Sequence, residues 1–102
     1  MIIYNVTINL EEGLNENWIK YMKEEHIPDV MKTGCFKEYR ICELLTKQPD
    51  EKGTTFSIQY SCESMDVYNE YVEKYALKLQ EEHSAKFGGR FVAFRSLMAE
   101  VE

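Results

Sequence analysis

The sequence predicts an α+β fold, a four-stranded antiparallel sheet with two helices on one face, in the order strand, helix, strand, strand, helix, strand. Three observations carry this. Residues 3–10 and 55–62 alternate apolar with small uncharged polar side chains, the two-residue period of a half-buried strand. Two longer stretches, from Asn15 and from Ser64, repeat apolar residues at helical spacing and end at Gly34 and at Gly88-Gly89. Between them, residues 47–53 (Lys-Gln-Pro-Asp-Glu-Lys-Gly) form a hydrophilic hairpin loop separating two runs of β-formers.

The first strand ends near Leu10, and Glu11-Glu12-Gly13 turns the chain. Asn15 is placed as an N-cap, with Leu14 and Ile19 as a hydrophobic staple. Trp18, Met22 and Glu25/His26 then recur on one stripe, beside Ile19 and Tyr21. Pro28 disfavours helical geometry at Ile27, which predicts a break or kink before a short continuation through Met31. Residues 35–46 read as the second strand, and the third follows Gly53 directly. Ser64 caps a second helix whose predicted stripe is Tyr68, Tyr71/Val72, Tyr75, Leu79 and His83, with Glu70–Lys74 and Glu82–Lys86 as i,i+4 pairs. Residues 90–101 form the last strand, with Val92, Phe94 and Met98 on one face and Phe91, Ala93, Arg95 and Leu97 on the other.

This is the ferredoxin-like βαββαβ order, in which the first and third strands lie at the centre of the sheet and both crossovers put their helices on the same side. Tyr4, Val6 and Ile8 with Phe56, Ile58 and Tyr60 then face the helices. The opposite rows, Asn5, Thr7 and Asn9 with Thr55, Ser57, Gln59 and Ser61, contain no charge, although 29% of the chain is Asp, Glu, Lys or Arg. A solvated face would carry Lys and Glu, so the rows predict a surface shielded by a partner subunit or lining a polar cavity.

The 102 residues make one domain, 1–102, with 44% hydrophobic and 13% aromatic residues, enough for one core. Cys35, Cys42 and Cys62 lack Cys-x-x-Cys spacing and a companion His cluster, so they read as reduced core residues and no metal site is expected. The N-terminus shows no signal-peptide pattern and no stretch reaches the roughly 20 apolar residues of a membrane span, so a cytoplasmic protein without membrane contact is expected. A net charge of −6 with no basic cluster opposes nucleic-acid binding.

His26 is the sharpest candidate for proton transfer, set against a role capping the helix end near Pro28 or packing on its stripe. His83 lies on the second helix's stripe and reads as a core or rim histidine or as a second catalytic candidate. Arg95, a charge among apolar residues, is an anchor for an anionic ligand or the partner of Glu38 or Glu43 across a dimer. Asn5, Thr7, Asn9, Ser57 and Gln59 offer neutral hydrogen bonds to a ligand, or to one another across a wet interface. The inward face of the second strand, and hence the side taken by Tyr39, stays open because charges fall on both faces.

From Trp18 to Phe36 the chain runs Trp-Ile-Lys-Tyr-Met-Lys-Glu-Glu-His-Ile-Pro-Asp-Val-Met-Lys-Thr-Gly-Cys-Phe. With Gln80-Glu81-Glu82-His83 and Gly88-Gly89-Arg90-Phe91-Val92-Ala93-Phe94-Arg95, it resembles end to end a small bacterial domain-of-unknown-function family within the dimeric α+β barrel superfamily. That resemblance implies a homodimer in which two sheets pair into a barrel with their helix-free faces inward. The residues themselves lead to the expectation of a small-molecule-binding or sensing module without a prosthetic group, with Asn5, Thr7, Gln59, Arg95 and Tyr39 as ligand-binding residues. The alternative is an enzyme, since superfamily members include cofactor-independent monooxygenases, haem-degrading oxygenases and lactone isomerases. The haem-degrading and quinone-forming members resemble one another in an Asn on the first strand and a Trp and a His on the second helix. Asn5 or Asn9 and His83 match two of these positions, while Trp18 lies on the first helix instead.

Overall fold

A computed structural model describes all residues, 1–102. Strands β1 (Ile2–Leu10), β2 (Glu38–Glu43), β3 (Thr54–Cys62) and β4 (Phe91–Ala99) form one sheet in the order β2-β3-β1-β4, with every neighbouring pair antiparallel. Helix α1 comprises Asn15–Tyr21, a π-helical turn Met22–His26, and Ile27–Lys32. Helix α2 comprises Met65–Tyr71, a π-helical turn Val72–Ala76, and Leu77–Phe87. This is the ferredoxin-like α+β architecture, with β1 and β3 at the centre. No helix is long and apolar enough to cross a membrane.

The core lies between the helices and the sheet, where Tyr4, Ile8, Phe56, Ile58 and Tyr60 meet Trp18, Met22, Ile27 and Tyr71. Tyr4 stands at the centre of an aromatic cluster with Phe36, Tyr60, Tyr68 and Tyr71, ring centroids 5.3–6.1 Å apart.

Several local expectations change. Asn15 is not the cap: Leu14 holds that position without a side-chain cap bond, and Asn15 Nδ2 instead donates to Thr54 Oγ1 at 2.9 Å, tying α1 to β3. Ser64 is the expected cap, accepting from the Val67 amide. Pro28 does not break α1. A proline ring clashes with the carbonyl four residues back, here that of Glu24, and that carbonyl lies inside the wider π turn. Gly34 ends the helix at φ +77, as its position predicts.

The π turns also move the buried stripe. After Met22 the next buried position is Ile27, and after Tyr71 it is Ala76, five residues on instead of four. Val72 and Tyr75, expected on the stripe, are therefore exposed, and Leu79, His83 and Phe87 complete the buried face. Glu70 and Lys74 form their pair at 2.9 Å, whereas Lys86 turns from Glu82 to Glu25 on α1 at 3.5 Å and to the face of Tyr21. Strand β2 is shorter than expected, and Cys42 on it is exposed, while Cys35 and Cys62 are buried and all three are free thiols. At the hairpin's end Gly53 adopts φ +75 against the backbone of Leu10, whose carbonyl oxygen would lie 2.2 Å from an added Cβ.

Candidate functional site

Directly opposed residues in an antiparallel sheet share a face, so the register decides which candidates meet. Val6 opposes Arg95 across β1 and β4, and Ile58 across β1 and β3. Arg95 therefore stands on the helix side. Asn5 opposes Gln59 and Ser96, and Thr7 opposes Ser57 and Phe94, on the helix-free side. The set Asn5, Thr7, Gln59 and Arg95 is thus divided by the thickness of the sheet, and no single cavity gathers it.

On the helix-free side the polar row is bonded largely to itself. Asn5 Nδ2 donates to Thr7 Oγ1 (2.9 Å) and Ser96 Oγ (3.3 Å), while Asn5 Oδ1 accepts from Ser57 Oγ (2.6 Å). Asn9 Nδ2 donates to Thr55 Oγ1 (3.0 Å), and Gln59 Oε1 accepts from Arg40 (2.8 Å). Tyr39 pairs with Tyr60 in the register but sits exposed on the outer strand, outside the helix-side cavity.

The helix side holds a cavity of about 40 Å³ between α1, α2 and the sheet. Val6, Ile8 and Ile58 form part of its apolar wall, and His26, His83, Arg95, Tyr4, Tyr60 and Gln80 line it as well. The two histidines come from different helices, yet their ring centroids lie 5.5 Å apart. His26 is the last residue of the first π turn and half-buried. His83 is 6% exposed, with Phe91 packed edge-on at 4.6 Å and Phe87 at 5.5 Å.

Electrostatics follow from this packing. Burial, with His26 and the Arg95 charge nearby, pushes His83 down to about 4. Burial also lowers His26, with Asp29 opposing and Arg95 adding to the shift. Both imidazoles are therefore neutral near pH 7. Burial raises the phenols of Tyr4 and Tyr71, and at Tyr4 the nearby Arg95 guanidinium and Gln80 amide pull back. Tyr60 is raised furthest, again chiefly by burial, and its hydroxyl is buried with no hydrogen-bond partner. Arg95 makes no ion pair within the chain.

One bond across the helices was not foreseeable from spacing. Trp18 Nε1 donates to His83 Nε2 at 2.9 Å in the buried interior. Tyr4, Tyr60 and Gln80 were likewise missed as site residues, because nothing in their neighbourhoods in the chain separates them from ordinary core or helix positions. No group of three or more His, Cys, Asp or Glu side chains is placed to hold a metal ion.

Among solved structures, the chain is similar to a dimeric ferredoxin-like protein from an uncultured marine organism, with TM-score 0.72, 14% identity, 100% of this chain and 96% of the other covered. It is also similar to a cofactor-independent oxygenase from Streptomyces nogalater, with TM-score 0.65, 7% identity and coverages of 99% and 93%. A third similarity is to a hydroxynitrile lyase from Passiflora edulis, with TM-score 0.63, 16% identity and coverages of 99% and 96%. At these identities the shared property is the fold. No curated protein matches by sequence. The family model for a domain of unknown function, DUF4286, matches residues 1–101, and the chain belongs to that family.

Proposed function

We propose that this protein is a homodimeric small-molecule-binding protein whose ligand enters the cavity between the helices and the sheet. The observation that carries this reading is the cavity itself, a partly apolar enclosure lined by both histidines and by Arg95, whose guanidinium has no ion-pair partner. The void takes roughly one or two heavy atoms of a ligand's head group, on the scale by which a cavity of about 150 Å³ takes benzene. Arg95 is exposed at one side of it, so the remainder of a larger ligand has a way out.

The dimer is supported by the exposed Val92, Phe94 and Met98 on the helix-free face of β4. A reducing, cytoplasmic setting suits the three free thiols. A second reading, an enzyme working without a cofactor, is favoured by the His26–His83 juxtaposition: two neutral imidazoles in a partly apolar cavity are equipped to move a proton.

Native mass spectrometry of the purified protein, followed by an NMR titration with whatever mass co-purifies or with a fragment set, tests the site. Shifts at Tyr4, Tyr60, His83 and Arg95, weakened by Arg95→Ala, are expected. Shifts confined to Asn5, Ser57 and Gln59 would move the site to the other face and overturn the reading.

A further inference from the structure

Resting on that reading, we propose that the ligand is a small anion whose carboxylate, or an equivalent oxyanion, is held by Arg95 and the Nδ1–H of His83, with Trp18 the positioning residue that makes His83 a donor. An indole nitrogen can only donate. The 2.9 Å bond from Trp18 Nε1 therefore fixes His83 Nε2 as an acceptor. A neutral imidazole carries its single proton on the other nitrogen, so Nδ1 is the donor. With Trp18 wholly buried and His83 6% exposed, water has little access to compete for this arrangement. No protein atom accepts from Nδ1, which leaves that donor for a ligand.

The rest of the cavity agrees in sign. No Asp or Glu lines it, and its one formal charge is the guanidinium of Arg95, which has no ion-pair partner. A donor and a cation in a partly apolar enclosure stabilise an oxyanion and leave a neutral amide of the same shape with a mismatched N–H group. A planar carboxylate also suits the bidentate geometry of a guanidinium.

The test compares acetate with acetamide and benzoate with benzamide by 1H–15N NMR titration at pH 7 and constant ionic strength, alongside long-range 15N–1H spectra that report the His83 tautomer. The expected result is an anion preference of at least about tenfold in Kd, cavity-centred shifts, and a pure Nδ1–H tautomer at His83. Arg95→Gln should abolish the preference. Trp18→Phe should give mixed tautomers and a reduced preference while amide binding persists; if that variant does not fold, the wild-type tautomer decides the role of Trp18. Amides binding the cavity as tightly as the acids, or an Nε2–H tautomer at His83, would overturn the anion assignment and leave the small-molecule site standing. Co-purified or fragment ligands that shift only the opposite face would remove the site itself.

Discussion

Trp18 and His83 lie 65 positions apart and meet through a buried hydrogen bond. Each was recognisable alone, Trp18 as a helix-stripe aromatic and His83 as a stripe histidine or catalytic candidate, but their pairing depends on how two helices lie side by side, which no local pattern encodes. Arg95 was legible as an anchor, while its neighbours were not. Apolar residues occupy both faces of β4, so its local pattern left the register open, and with it the choice between Asn5 and Val6 as the companion of Arg95. The lowered histidine has a consequence for stability. Unfolded His83 takes up a proton near pH 6.5, whereas in the folded chain it resists until about 4. Between those values the unfolded state binds more protons, so stability is full above about pH 6.5 and falls as the pH drops towards 4. Denaturant unfolding at pH 7 and pH 4.5 should show this loss, and His83→Gln should remove a part on the order of 2–3 kcal/mol. Equal pH slopes in both proteins would contradict the buried, neutral state.

At the scale of elements, the two π turns explain why helical periodicity located the helices but misjudged their faces. A repeat of 3.6 residues assigns Tyr75 to the core, and the wider turn carries it out, with Ala76 inward. The same widening places His26 at the end of a π turn beside the cavity. The turns occur at matching depth, after seven α-helical residues in each helix and lasting five residues in each. The cap positions differ in legibility for a simple reason. Ser64 can serve only the helix it precedes, and does, whereas Asn15 is close enough to β3 for its amide to reach Thr54. Ser64→Ala should lower stability by about 1 kcal/mol and Ser64→Asp by much less, read from denaturation midpoints. A neutral Ser64→Ala change would mean the cap bond contributes nothing.

For the whole molecule, the order of elements was readable because two alternating strands, two amphipathic helices and a hydrophilic hairpin leave few ways to close one core. The uncharged rows were read as shielded, and in the chain they largely bond one another, with Val92, Phe94 and Met98 exposed beside them on β4. Phe94, 67% exposed, is the largest apolar side chain on that face. In the proposed dimer it becomes buried, so Phe94→Asp should give a monomer in multi-angle light scattering with an unchanged far-ultraviolet circular dichroism spectrum. A wild-type protein already monomeric at tens of micromolar would remove the dimer.

The sheet keeps its two faces apart, with the cavity on one and Phe94 on the other. Two chains joined through the helix-free face would therefore each retain a complete, separate cavity, with no residue borrowed across the axis. Binding should then have a stoichiometry of one ligand per chain and a Hill coefficient of about 1, each protomer filling independently of its neighbour.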